Sequence, residues 1–238
     1  MPATKTLEVT SVDGVPGVAM DGLPTLVYWS ISGLAQAPRY ALELSGVDYV
    51  DVRIADREAW VAKKPTLEVP FANLPYLLDS KEKLAQSGAI LRYVASDLSG
   101  GKLLSGDAAL LNVALDQAKD FDGSITGPCY RDPEGMIETY FKGGGLKEAL
   151  KQWAAFLGDR PFLAGDAVTI ADCKFYETLR KIKIICTEFD TNKDDPFYGV
   201  DAITAYANRF EAIPAIAAYH ASPAFKPRPL NGFSAKFR

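Results

Sequence analysis

Histidine is almost absent from this chain: among 238 residues there is one, His220, with three cysteines, Cys129, Cys173 and Cys186. A catalytic zinc centre built on two or more imidazoles is thereby argued against. Cysteines so far apart, with no C-x-x-C pair, suggest neither a zinc site nor a thiol-disulfide motif. The expectation is no metal, and a reducing compartment. Long apolar runs are also lacking. The opening MPATKTLEVTSVDGVPGVAM has no continuous apolar core of signal-peptide length, and no later stretch approaches a membrane span. A cytoplasmic protein with no membrane partner is expected. An excess of positive charge is missing too. A formal net charge of -4 gives no reason to bind nucleic acid, and the basic end KPRPLNGFSAKFR reads as a solvated tail. His220, at the end of a short helical stretch near Pro223, reads as a surface residue rather than a base.

What is present is a globular composition, 48% hydrophobic and 24% charged, long enough for one large domain or two small ones. Residues 1–22 hold scattered valines, glycines and prolines and read as an extension or a loosely docked arm. TLVYW is β-branched and aromatic, as a buried strand should be, and SISGLAQ follows as a loop. PRYALELSG fits a helix with Pro38 in its first turn and Gly46 closing it. VDYVDVRI alternates as a second strand, and Arg57 to Pro70 reads as an irregular connection. In FANLPYLLDSKEKLAQS, the runs Tyr76 to Leu78 and Lys83 to Ala85 flank the turn DSKE as a hairpin. Gln86 and Ser87 then look like a helix N-terminus.

This order predicts a small α/β domain over 23–98, a glycine-rich linker over 99–107 and an all-helical domain over 108–238. In the second domain Leu111, Leu115 and Ala118 share a stripe, while Asp116 and Asp120 share another face. LKEALKQWAAFL gives an amphipathic helix stopped near Gly158. Thr169 with Asp172 three residues on is a variant capping box ahead of a core helix. Two more short helices follow. DTNKDDPFYG has the opening spacing of a calcium loop but lacks its glycine and glutamate, and reads as a polar interhelical loop.

Four stretches, YWSISGLAQAPRYALE, FANLPYLLDSKEKLAQSGAILRYVA, PFLAGDAVTIADCKFYETL and AIAAYHASPAFKPRPL, run in order over nearly all the chain from Thr25 onward. In this combination the sequence resembles a cytosolic glutathione transferase, mu-class-like, with the sigma class as neighbour. The resemblance implies an α/β thioredoxin-like N-terminal domain followed by an all-α C-terminal domain. It also implies transfer of glutathione, a co-substrate and not a permanent cofactor, to small hydrophobic electrophiles in detoxification. By the same resemblance Tyr28 is the catalytic residue, donating to the glutathione sulfur, with Ser30 and Ser32 as rival activators. Leu74 offers its main chain to the peptide ahead of a cis Pro75, and Gln86 and Ser87 receive the γ-glutamyl carboxylate. Trp60 and Lys64 hold the glycine carboxylate, and Trp29 and Asn73 complete the glutathione contacts. Asp120, with Asp116 as the alternative, reaches the partner's site in a homodimer. Leu34 and Tyr130 border the electrophile, and the tail around Phe225 to Phe233 closes its pocket.

Two departures from that pattern stand out. Pro128 is expected to kink or end the helix that carries Tyr130. The segment between Tyr28 and Trp60 is shorter than in most mu enzymes, which predicts a missing overhang and a more open pocket. A carrier or structural protein on the same fold, and a glutathione-dependent isomerase of the sigma type, are the alternatives that the sequence leaves open.

Overall fold

The computed structural model describes residues 2–238, which divide into two units. The first comprises residues up to 102 together with 215–232, and the second comprises 103–214 with 233–238.

In the first unit the strands are β1 (Thr4–Val9), β2 (Thr25–Trp29), β3 (Tyr49–Ile54), β4 (Tyr76–Leu78) and β5 (Lys83–Ala85). They form one sheet in the order β1-β3-β2-β4-β5, with β1 and β2 parallel to β3 and with β4 and β5 antiparallel to their neighbours. Residues 4–9 are therefore not a loose arm. They form an edge strand, Thr4 pairing with Tyr49 and Val9 with Ile54, and the main chain of β1 covers what would otherwise be the open edge of β3.

The alternation in β3 has a cause other than solvent. All six residues are buried, and its polar positions belong to an internal ion cluster. Asp51 Oδ2 accepts from Arg39 Nε at 3.0 Å and from Arg53 Nε at 2.8 Å, while the arginines also donate to the carbonyls of Ile31 and Ala224. Such a cluster is tolerated only because its charges are paired and hydrogen-bonded.

Helix α1 (Gln36–Ser45) closes at Gly46, whose φ of 77° supplies the left-handed cap. The stretch from Arg57 is helical, not irregular. In α2 (Arg57–Lys63) the Asp56 side chain caps the Glu58 N–H at 2.7 Å, and the helix stops where Pro65 follows Lys64. The hairpin holds as expected: Asp79 Oδ1 accepts from the N–H groups of Lys81 and Glu82, both at 2.7 Å, and α3 (Ser87–Tyr93) starts at Ser87. The link between Ile54 and Arg57 is only Ala55 and Asp56, so no long overhang leaves β3.

The second unit is helical: α4 (Ala108–Arg131), α5 (Pro133–Met136), α6 (Gly145–Leu157), α7 (Ile170–Glu188) and α8 (Asp201–Glu211), with α9 (Pro214–Ala221) passing back into the first. Pro128 does not stop α4 at its own position. The helix runs three residues further to Arg131, where the Asp132 N–H returns to the Pro128 carbonyl at 2.8 Å. So near a helix end, proline costs only one main-chain bond. Asp172 forms the expected capping box and does more. It accepts from the N–H groups of Leu163 and Thr169 and from the hydroxyls of Thr169 and Tyr206. Phe121, Trp153, Phe175 and Tyr206 make the aromatic core, Trp153 stacking on Phe175 at 4.0 Å. Among the described residues no helix is long and apolar enough to cross a membrane.

Two expectations for the C-terminal part are corrected. Residues 215–232 pack with the sheet unit rather than with the helical one. Leu230, Asn231 and Phe237 are buried, so the tail is docked and not solvated. His220 is half-buried, its Nε2 lying 3.2 Å from the Tyr40 hydroxyl and its ring 4.3 Å from that of Phe225.

Candidate active site

The sheet topology gathers the candidate glutathione residues at one end. Strands β2 and β3 run parallel and finish side by side at Trp29 and Ile54. Because β4 is antiparallel and Val27 pairs with Tyr76, the chain enters β4 at that same end. There Tyr76 pairs with Ala85, so β5 finishes beside the entry and hands over to Gln86 and Ser87. Helix α2 follows Ile54 after two residues and contributes Trp60. Tyr28, Leu74, Pro75, Gln86, Ser87 and Trp60 thus converge from four separate segments.

Tyr28 is 6% exposed, and its hydroxyl oxygen accepts the Leu34 N–H at 3.2 Å. That contact exists because Gly33 turns with φ of 44°; a Cβ placed on it would come within 2.6 Å of the Tyr28 oxygen. The loop is tied from behind. Ser32 and Gly33 donate to the carbonyls of Pro229 and Leu230, both at 2.9 Å. Ser30 donates to Glu8 at 3.1 Å, and Lys226 holds the same carboxylate oxygen at 2.8 Å. Of the two serines considered as activators, Ser30 thus has its hydroxyl turned to Glu8, and Ser32 is 1% exposed.

The Leu74–Pro75 bond is cis, and both residues are buried. Pairing of β4 begins at Tyr76, so the Leu74 main chain lies outside the ladder. Gln86, exposed, holds φ of 75°. A non-glycine residue there carries strain of roughly 1–3 kcal/mol and persists only where surrounding structure fixes it. Directly after it, Ser87 opens α3, whose first N–H groups have no helical partner. A hydroxyl and unpaired N–H groups at this position are suited to a carboxylate.

Trp60 is buried, edge-on to Trp29 at 6.3 Å and stacked on Tyr76 at 6.1 Å. Lys64 and Asn73 are exposed, one turn beyond Trp60 and one residue before Leu74. Leu34, 45% exposed, sits in the loop beside the Tyr28 hydroxyl. Asp116, Asp120 and Tyr130 lie on α4 of the helical unit, all exposed, and the tail residues Phe225 and Phe233 fall in different units.

Three features of these units were not read from the sequence. The Leu34 N–H is a main-chain donor whose only signal is Gly33, five residues after Tyr28. The N-terminal strand reaches the same loop through Glu8. Phe71, with φ of 52°, is 90% exposed.

Comparison with known proteins finds relatives of both parts of the chain. The profile of the glutathione S-transferase N-terminal domain matches residues 24–96, and that of the C-terminal domain matches 119–223. A glutathione S-transferase of Tyrophagus putrescentiae is 34% identical over 227 residues, covering 92% of this chain and 98% of that protein. Glutathione S-transferase Mu 3 of Homo sapiens is 34% identical over 220 residues, covering 89% and 94%. The crystal structure of the glutathione S-transferase Blo t 8 shares the fold, with a TM-score of 0.77 at 23% identity over 90% of this chain and 99% of that one. The chain belongs to the glutathione S-transferase family.

Proposed function

We propose that this enzyme activates the thiol of glutathione through Tyr28 and transfers it to small hydrophobic electrophiles. The observation that carries the reading is the Leu34 N–H held on the Tyr28 oxygen at 3.2 Å. That bond uses a lone pair of the oxygen and not the phenolic proton. It also polarises the hydroxyl, so the O–H becomes a stronger donor. A free thiol has a pKa of about 8.5 and is mostly protonated at neutral pH, yet the thiolate is the nucleophile. Donation to the charged sulfur contributes about 1.5–3 kcal/mol, which lowers the thiol pKa by roughly one to two units.

The remaining residues place the tripeptide. The Leu74 main chain takes the cysteinyl segment as an added strand, in which backbone bonds supply affinity. Gln86 and Ser87 receive the γ-glutamyl carboxylate at the start of α3, and Trp60 and Lys64 donate to the glycine carboxylate, with Trp29 and Asn73 beside them. Leu34 borders the electrophile, and Tyr130 on the helical unit is the residue whose hydroxyl can serve a leaving group or oxygen. The two-residue link from β3 to α2 leaves room for bulky electrophiles, and isomerisation of an enone would use the same thiolate.

The working form is a two-fold homodimer in the cytoplasm. Phe71 presents an apolar ring to water, and the helical unit has a groove of about 460 Å³ lined by Val113, Phe121, Tyr140, Trp153 and Phe156, with Asp120 on its edge. In a two-fold pair each copy supplies both features to the other. Asp120 then lies at the interface, where it can reach the partner's glutathione ammonium. The three cysteines are all buried and none is in a disulfide, which fits a reducing compartment.

Calorimetric titration with glutathione, followed by conjugation of a chloronitrobenzene, tests the reading. Binding with turnover supports it. Binding without conjugation of any of several electrophiles moves the protein to a carrier or a narrow isomerase. The absence of binding overturns the site.

A further inference from the structure

Three strand residues on one face of the sheet meet the loop and tail around Tyr28. Strands β1 and β2 are both parallel to β3, and Glu8 and Tyr28 both stand in register with Arg53, so the three side chains leave the same side. Each holds a different piece of chain. The Tyr28 oxygen accepts the Leu34 N–H, Arg53 donates to the Ala224 carbonyl at 2.6 Å, and Glu8 Oε2 accepts from both Ser30 Oγ and Lys226 Nζ. Between these points the tail bonds to the loop directly, the Pro229 and Leu230 carbonyls accepting from the N–H groups of Ser32 and Gly33. All of these residues belong to the first unit.

Glu8 joins loop and tail through a single oxygen. Ser30 begins the turn that leads to Gly33, and Lys226 lies three residues before Pro229, so the carboxylate fastens the loop and the tail where both approach the bonds between them. Hydrogen bonds from Lys226 and Ser30, with the charges of Lys226 and Arg53, hold the Glu8 carboxyl below the usual carboxylate range. It is therefore ionised at neutral pH. The Lys226 and Glu8 side chains are 39% and 49% exposed, and an ion pair so open to water adds little to stability. Its leverage is on position. Gly33 stands so close to the Tyr28 hydroxyl that a Cβ would collide with it, so a shift of the loop is felt at the phenol. β1 lies ahead of residues 24–96, the stretch that matches the family's N-terminal domain, and its part in the site rests on this geometry.

We propose that Glu8 is a positioning residue for thiol activation, holding Ser30 and Lys226 so that the Leu34 N–H stays on the Tyr28 oxygen. It acts through the loop and not on the sulfur. Without the carboxylate the loop and tail part at this point, the Leu34 N–H spends less time on the phenolic oxygen, and the O–H becomes a weaker donor to the thiolate. The proposal rests on Tyr28 as the activating residue.

Thiolate absorbance of the glutathione complex and kcat/KM for a chloronitrobenzene, both followed from pH 5.5 to 8.5, test it in wild type, Glu8→Ala, Tyr28→Phe and the double variant. Glu8→Ala should raise the thiol pKa by about half a unit or more, which lowers kcat/KM about threefold at pH 5.5, where thiolate is scarce, and far less at pH 8.5. Its melting temperature should stay within about 2 °C of wild type, as for loss of an exposed pair. In Tyr28→Phe the same substitution should leave pKa and rate unchanged, because the group it positions is already gone. Lys226→Met removes the tail's hold on Glu8 and should shift the thiol pKa in the same direction; it decides the matter if Glu8→Ala does not fold. A thiol pKa moved by Tyr28→Phe but not by Glu8→Ala overturns the proposal and leaves the Tyr28 reading standing. A thiol pKa unmoved by Tyr28→Phe overturns both. Equal effects of Glu8→Ala with and without the Tyr28 hydroxyl overturn the proposal as well.

Discussion

Gly33→Ala is the most searching perturbation of the loop that holds Tyr28. An alanine Cβ would stand 2.6 Å from the Tyr28 oxygen and 2.7 Å from its Cε1, distances that no packed pair sustains, so the ring or the loop must move. The loop has little freedom, because Ser32 and Gly33 are bonded to the Pro229 and Leu230 carbonyls. The ring therefore gives way, and the phenolic oxygen leaves both the Leu34 N–H and the thiol. Alanine at φ of 44° also costs about 1–2 kcal/mol in the left-handed region. If donation from Tyr28 to the thiolate is worth about 1.5–3 kcal/mol, its loss lowers turnover at pH 6.5 roughly 10- to 100-fold. The assay is a double-mutant cycle of Gly33→Ala and Tyr28→Phe, read as kcat/KM for a chloronitrobenzene with melting temperatures alongside. Gly33→Ala should lower the rate in the wild type and change it little in Tyr28→Phe, because the group it displaces is already gone. Equal losses in both backgrounds, or a rate in Gly33→Ala within twofold of wild type, would refute the reasoning.

Ser87→Ala and Lys64→Ala should each raise KM for glutathione about tenfold with little change in kcat, since both groups bind equally in the ground and transition states; a fall in kcat instead would place them nearer the chemistry. Phe71→Ser should weaken the proposed dimer by about 2 kcal/mol or more, as loss of an aromatic anchor does, and sedimentation velocity at micromolar concentration should then show monomer; an unchanged dimer removes Phe71 from the proposed interface. Asp122 supplies the pH dependence. Burial alone would raise its carboxyl, but the ammonium groups of Lys181 and Lys174, at 2.6 and 2.9 Å, more than offset that and hold it well below the usual range. A depressed folded pKa means stability present at neutral pH and lost as pH falls below the unfolded value of about 3.9. Asp122→Asn leaves two lysines without their carboxylate and should cost about 3–5 kcal/mol at pH 7, with a shallower loss of stability below pH 4; a parallel pH profile for the variant would contradict this.

The parts of the fold that could be read from the sequence are those whose cause is local. The hairpin and the start of α3 follow from DSKE and from Gln86 and Ser87, and the Thr169 and Asp172 capping box from a spacing of three. β1 was hidden because TKTLEV has only weak alternation and its partners in β3 lie 45 residues further along the chain. α2 was masked by the breaker KKP, which begins at its last residue, Lys63, after only about two turns. The solvent-like alternation of Asp51 and Arg53 concealed an ion cluster whose third member, Arg39, comes from α1. The candidate site divides the same way. Tyr28, Leu74, Pro75, Gln86 and Ser87 lie in short motifs, and pairing brings their segments to one end of the sheet. The Leu34 N–H, Glu8 and the tail carbonyls are main-chain or long-range partners that no local pattern announces.

The central claim is that the Tyr28 hydroxyl lowers the pKa of bound glutathione. Thiolate absorbance of the binary complex, followed from pH 5.5 to 8.5 in wild type and Tyr28→Phe at saturating glutathione, measures it directly. The account predicts a thiol pKa in the wild type roughly one to two units below the free value of about 8.5, and a return toward that value in Tyr28→Phe with glutathione affinity retained. The same thiol pKa in both proteins would contradict it.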